Sequence, residues 1–366
     1  MTIIISIAYL AVLVSAVFVV LYWGRTTCTG PEPVGIFTLV ALLFTAGLDM
    51  GLVMLPLTEF PVYEGDAVYA FTNPLAVEFG MWGPLVWLMY FLATFYFVVL
   101  EPKLKVFEIP AVKWVYNLTV IATCAFTGYL FMVNLPAYAP DLPQWSIWAL
   151  VVGVLAFSVV SSGNFEIMKW LAIVSTYGFG MLAFTALAVV AFAYADVGVG
   201  EFFGNVGLLS DYFANLHRFA VPISDYHEFY LFWWFAWSIM IGQFVARFVG
   251  GLPVWQLALG MVVLPAIPLG LWFCVLYLYH QNEIVIPGWL NWFMIFVGIV
   301  FVVNSLDSLI RLYGANLGWG RGQVPDRVYY PLHFLLQLAL VCAYVFTPFE
   351  IQWVGLVVVG VYAAVY

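Results

Sequence analysis

The sequence predicts an all-α polytopic membrane protein of about eleven transmembrane helices. Three observations predict it. The 366 residues are 66% hydrophobic and only 8% charged, with a mean hydropathy of +1.06, far from the composition of soluble domains. Apolar runs of roughly 18 to 25 residues recur along the whole chain, the length a helix needs to cross a bilayer. Threading these runs alternately through a membrane puts nearly all Lys and Arg on one side, as the positive-inside rule requires.

The spans are read at roughly 3–23, 35–57, 82–100, 113–134, 146–162, 168–194, 229–248, 253–279, 288–312, 329–347 and 351–366. The first, Ile3 to Trp23, has no charged n-region and no small-residue cleavage site, so it reads as a retained helix. Between the sixth and seventh lies "VGEFFGNVGLLSDYFANLHRF", whose apolar residues recur at three and four. It reads as an amphipathic helix on the membrane surface. With the N-terminus outside and the C-terminus cytoplasmic, Arg25, Lys103, Lys105, Lys113, Lys169, Arg247, Arg311, Arg321 and Arg327 fall inside and only Arg218 outside. Twelve of the nineteen acids fall outside, among them Glu59, Glu64, Asp66, Glu78, Asp211 and Glu228. The net charge of −9 is then mostly an external acidic surface, with no sign of nucleic-acid binding. The four cysteines make no metal spacing or disulfide framework, and the four histidines are dispersed. An enzyme is not expected, nor a resident cofactor or metal.

Two acids fall within spans: Asp49 in "FTAGLDMGLVM" and Asp307 in "FVVNSLDSLIRL". An ionisable group at membrane depth costs from ~2.5 to above ~10 kcal/mol, so it usually faces the protein interior. Asp307 lies four residues before Arg311, the spacing of a helical ion pair. Asp49 has no such neighbour and sits between Gly47 and Gly51, where glycines weaken a helix. A helix interrupted near the midplane points to a transporter binding site. The second and seventh spans begin about 194 residues apart, and each opens a run of five, so the two runs have opposite orientation. The depth equivalent to 46–51 falls near Phe235–Ser238 in the second run, inside "YLFWWFAWSIM". That stretch holds Trp233, Trp234 and Trp237, while "MWGPLVWLMY" offers Trp82, Trp87 and Tyr90. At 100° per residue the last three span an arc of about 140° on one helix. Walls of Trp and Tyr hold quaternary ammonium groups by cation–π attraction, ~0.5–2 kcal/mol per ring when desolvated. The same rings also suit an interfacial belt or core packing.

The stretch "FYLFWWFAWSIMIGQFVAR", Phe229 to Arg247, resembles the signature of the betaine/carnitine/choline transporters, roughly FYWxWWxxWxPFVGxFxAR. "WGPLVWLMY" is similar to that family's aromatic-box helix, W-x4-W-x2-Y. "FTAGLDMGLVMLPLTE" is similar to its FSAGMGIGLLFWGVAE, "VVNSLDS" to its VTSADS, and "SSGNFEIMKWLAIVS" to its SGLDKGIKWLSN. The motifs come in the family's order. The resemblance implies a LeuT-type 5+5 inverted repeat in a short variant without the first helix and terminal tails. It divides the chain into a peripheral helix and loop (1–34), a first five-helix repeat (35–194), an extracytoplasmic connector (195–228) and a second repeat (229–366).

The resemblance further implies secondary active transport, by alternating access across the inner membrane, of an onium solute such as glycine betaine, choline or carnitine. Trp82, Trp87, Tyr90 and Trp234 would form the box, Trp237 would face it, and Trp233 would line the cytoplasmic exit. Thr45, Leu48, Phe301, Asn304 and Ser305 would be the sodium-site positions, with Asp49 beside them. Asp49 stands where the family has a glycine, and Asn304 where it has a threonine, so either Na+ or H+ is a candidate coupling ion. The connector implies a homotrimer. The alternatives are a transport-inactive structural subunit with partner subunits, and a LeuT-type carrier for another small solute.

Overall fold

A computed structural model describes residues 1–47, 50–194 and 197–365. It is built of helices: α1 (Thr2–Trp23), α2 (Ile36–Gly47), α3 (Met50–Gly65), α4 (Pro74–Trp82), α5 (Pro84–Phe95), α6 (Glu101–Leu104), α7 (Pro110–Tyr138), α8 (Gln144–Ser162) and α9 (Phe165–Ala193), then α10 (Val199–Leu208), α11 (Ser210–Ala214), α12 (Asp225–Ala246), α13 (Val254–Ala258), α14 (Ala266–Gln281), α15 (Gly288–Leu317), α16 (Asp326–Phe346) and α17 (Ile351–Val365). Among the described residues nine helical stretches are long and apolar enough to cross a membrane. The α2–α3 pair and the shorter α17 account for the other two of the eleven expected crossings.

The boundaries depart from the sequence reading at two places. The span expected at 82–100 begins eight residues earlier. Asn73 caps α4 by accepting from the Ala76 N–H at 2.9 Å, Pro74 takes the first turn, and the chain bends only at Gly83–Pro84. A Cβ on Gly83 would sit 2.2 Å from the Phe79 carbonyl oxygen, so the bend needs glycine there. The connector is two short helices and a 3-10 turn at Leu216–Ala220 rather than one amphipathic helix. As a helix was expected there, α12 runs continuously through Phe235–Ser238, the depth set equivalent to 46–51. That stretch contains no glycine or proline, and Ser238 turns its hydroxyl back onto the Phe235 carbonyl at 2.9 Å.

The buried centre is α12 with α5 and α17 on its flanks, and α15 against α7, α8 and α9. Two glycines permit the first of these contacts. A Cβ on Gly242 would lie 2.4 Å from the Ala93 Cβ on α5, and one on Gly355 of α17 would lie 2.3 Å from the Phe232 carbonyl oxygen. The helices α1, α9 and α16 bury only a narrow face and leave the rest apolar, as lipid-facing helices do. The segment between α1 and α2 is joined to the end of α12 by backbone bonds: Cys28 N–H to Leu252 O (2.8 Å), Glu32 N–H to Arg247 O (2.9 Å) and Val34 N–H to Phe248 O (3.1 Å). The Arg247 guanidinium also pairs with Glu32 at 2.8 Å.

Candidate aromatic site

Six aromatic residues were expected to line a site, and five of them form one connected cluster. The Gly83 bend carries Trp82 at the end of α4 onto α12, where its ring meets Trp234 at 4.9 Å, Trp233 at 5.5 Å and Tyr230 at 5.8 Å, edge to face. Trp233 and Trp234 stack at 5.0 Å with planes 5° apart. Tyr90 joins Trp234 at 6.2 Å and Trp87 at 5.1 Å. Two indoles are fixed by carbonyls: Trp87 donates to Trp82 O at 2.9 Å, and Trp234 donates to Met81 O at 2.8 Å. Trp237 is buried but apart, with no ring contact to the other five. The rings rest on each other, and all six are 2% exposed or less. The indole N–H groups of Trp82, Trp233 and Trp237 have no hydrogen-bond partner among the described residues.

Beside this cluster lies a feature that the sequence reading missed. Glu59 and Glu78 were placed on the external acidic surface, but they are 3% and 0% exposed. Glu59 sits on α3 and Glu78 on α4, because both helices extend past the expected boundaries. Glu59 accepts from Tyr63 at 3.1 Å, from Tyr230 at 2.6 Å and from Tyr226. Glu78 faces Glu59, Tyr63 and the Trp82 indole, yet among the described residues neither of its oxygens has a partner at normal hydrogen-bond geometry. The legible signal was the Asn73–Pro74 helix start, which places Glu78 in the second turn of a membrane helix.

The sequence-predicted ion residues separate into two groups. Thr45, Leu48 and Asp49 lie outside the residues whose side chains are described. Phe301, Asn304 and Ser305 are buried on α15. The Phe301 ring lies 6.0 Å from Phe44 and 5.9 Å from Phe179, so the last turns of α2 run against α15 at this level. Asn304 donates to the Ser175 hydroxyl of α9 at 2.7 Å, while its carbonyl oxygen has no partner among the described residues.

Asp307 does not make the expected ion pair with Arg311. It is fully buried and accepts from Ser161 of α8 and from Ser308 at 3.3 Å. Arg311 instead reaches the end of the bundle, donating to the Ser162 carbonyl at 3.5 Å and lying over the Phe165 ring. The long side chain gains a carbonyl and a ring near the helix end, while the short one is held by two hydroxyls.

The helices are arranged in a LeuT-type fold. A Na+-coupled sialic acid symporter, solved in a substrate-bound outward-open state, superimposes with a TM-score of 0.54 over 98% of this chain and 86% of that one, at 13% identity. The chain is a distant relative of the betaine/carnitine/choline transporters, as the motifs implied. It is 25% identical over 281 residues to an ectoine/hydroxyectoine transporter of Virgibacillus pantothenticus, covering 66% of this chain and 55% of that protein. To the glycine betaine transporter OpuD of Bacillus subtilis it is 26% identical over 282 residues, 66% of this chain and 54% of that one. A glycine betaine transporter of Acinetobacter baylyi is 25% identical over 267 residues, 62% and 39%. The chain spans about half the length of the first two of these relatives. No family model matches it.

Proposed function

We propose that the chain is a secondary active transporter of a quaternary ammonium or similar onium solute, such as glycine betaine, choline or carnitine. The observation that carries this reading is the connected ring cluster of Trp82, Trp87, Tyr90, Trp233 and Trp234. An onium group offers no hydrogen-bond donor, and aromatic faces are what attract it. The unpaired indole N–H groups of Trp82 and Trp233 support a solute that also carries an acceptor, as the carboxylate of a betaine does. The solute moves by alternating access about the repeats 35–194 and 229–366, coupled to Na+ or H+. The chain lies in the inner membrane with its N-terminus outside, and its oligomer is a trimer formed through the connector.

Labelled glycine betaine and choline, titrated onto the purified protein, test the reading. Saturable binding of either, lost on replacing Trp234 by Leu, supports it. No binding of any onium solute removes it. The closed packing of the rings favours one other reading, a structural subunit whose aromatics are core. Stoichiometric partners on co-purification, together with no onium binding, would establish that one.

A further inference from the structure

Two buried carboxylates facing each other inside a membrane protein need a positive charge between them. Glu59 and Glu78 are such a pair, and no Lys, Arg or His bonds or ion-pairs with either among the described residues. Their hydrogen bonding is unequal. Glu59 receives three phenol donors, from Tyr63 on its own helix and from Tyr226 and Tyr230 on α12. That donor shell fills acceptor positions on both Glu59 oxygens. Glu78 receives none, and beside it the buried Trp82 N–H is also unpartnered. A buried oxygen with no partner calls for a ligand.

We propose that Glu78, held against Glu59, is an exchangeable proton-binding site of this protein. A proton from water adds to one Glu78 oxygen, and the new O–H donates to Glu59. Release breaks that single O–H bond and restores the second carboxylate. A metal cation fits less well, since the donors around Glu59 already occupy the oxygens it would need. An open cavity of about 600 Å3 comes close to the pair without being lined by either carboxylate. Its lining includes Thr58, beside Glu59 in the chain, and Tyr138, whose hydroxyl donates to the Met54 carbonyl of α3. Its mouth is polar, with Glu64 and His280 paired at 3.1 Å and Glu283 nearby. Besides the phenols, a histidine and an aspartate lie on the elements around the pair, each held by another partner. From α14, Tyr277 packs on Phe60 at 5.2 Å and His280 turns to Glu64, while Tyr69 before α4 bonds Ser224. From α11, Asp211 is held by Asn73 at 2.9 Å, and the Tyr212 hydroxyl accepts from the Leu85 N–H.

The site touches the aromatic cluster directly, because Glu78 faces the Trp82 ring that meets Trp233 and Trp234. Proton occupancy therefore sets the charge beside the place where an onium cation would sit. This link rests on the proposed transport function, whereas the proton site itself does not.

Infrared difference spectroscopy of the purified full chain in nanodiscs, stepped in pH, reads the site without any solute. The expected result is a protonated-carboxyl band that shifts in D2O, changes with pH and disappears in Glu78→Gln. In Glu59→Gln the band should persist at a shifted frequency, because its acceptor changes from carboxylate to amide. If Glu78→Gln does not fold, Glu78→Asp should move the band. A band unchanged in every Glu78 variant overturns the proposal. So does a wild-type protein with no protonated carboxyl, and so does labelled sodium binding that Glu78→Gln abolishes while no band exists. A band that behaves as expected in a protein that binds no onium solute would sink the transport reading and leave the proton site standing.

Discussion

At the scale of single residues, Trp234 is the side chain on which the aromatic site turns. Its ring meets Trp82, Trp233 and Tyr90, and its N–H is held by Met81. Trp234→Leu keeps an apolar side chain and removes the π face. Onium binding is expected to weaken by roughly 1–2 kcal/mol, about 5- to 30-fold, as read by equilibrium titration. Unchanged affinity would reduce the cluster to packing. Tyr230 answers a different question. Its hydroxyl donates to Glu59 at 2.6 Å. A hydrogen bond to a charged group contributes about 1.5–3 kcal/mol, so Tyr230→Phe should lower the melting temperature of the purified protein measurably. The box residues were legible because tryptophan spacing survives any error in span boundaries. Glu59 and Glu78 were not, because a carboxylate just beyond an apolar run reads as surface. Only the third dimension shows that three tyrosines converge on it.

At the scale of elements, α12 depends on how closely its neighbours approach. Gly242 has no room for a side chain, since a Cβ there would meet Ala93 at 2.4 Å. Gly242→Ala must push α5 away, and overpacking of this kind costs about 1–3 kcal/mol. The expected outcome is a lower unfolding temperature and a loosened box, since α5 carries Trp87 and Tyr90. A variant as stable as the parent would show that α5 shifts freely. Helix identity was well signalled by the apolar runs, whereas helix starts were not. The window that located the third span began at Trp82 because Glu78 dilutes the hydropathy just before it. The Asn73 cap, a local hydrogen-bonding signal, marks the start better than hydropathy does. The tryptophan stretch of α12 runs unbroken because it carries no glycine or proline.

At the scale of the whole molecule, the charge asymmetry makes a claim about sidedness. If the N-terminus lies outside, a cysteine at Asp141 reacts with an impermeant maleimide from outside, and one at Lys105 or Arg321 only from inside. Labelling with the opposite pattern would invert the topology. Cys28 serves as an internal control in the same experiment. It lies in the α1–α2 segment, is 3% exposed, and burial pushes its thiol up to about 11. The reactive species is the thiolate. Cys28 should therefore stay unlabelled at neutral pH, with its rate climbing as the pH approaches that value. Rapid labelling at neutral pH would mean that the segment lifts from Leu252 and Gly251.

The stacked Trp233–Trp234 pair has an energetic consequence for any solute that enters between the rings. If the closed arrangement dominates the ensemble, a ligand binds only the minor population whose rings are parted, and its apparent dissociation constant is the intrinsic one divided by that fraction. Substitutions behind the cluster should then act opposite to intuition. Phe126 backs Trp233 at 5.7 Å and also touches Phe229 and Tyr344. Phe126→Leu would relieve that backing without altering a ring of the box. It is expected to tighten onium binding while lowering the melting temperature, a trade of conformational rigidity for occupancy. Weaker binding together with lower stability would instead mean that the rings stand ready for the solute in the resting protein.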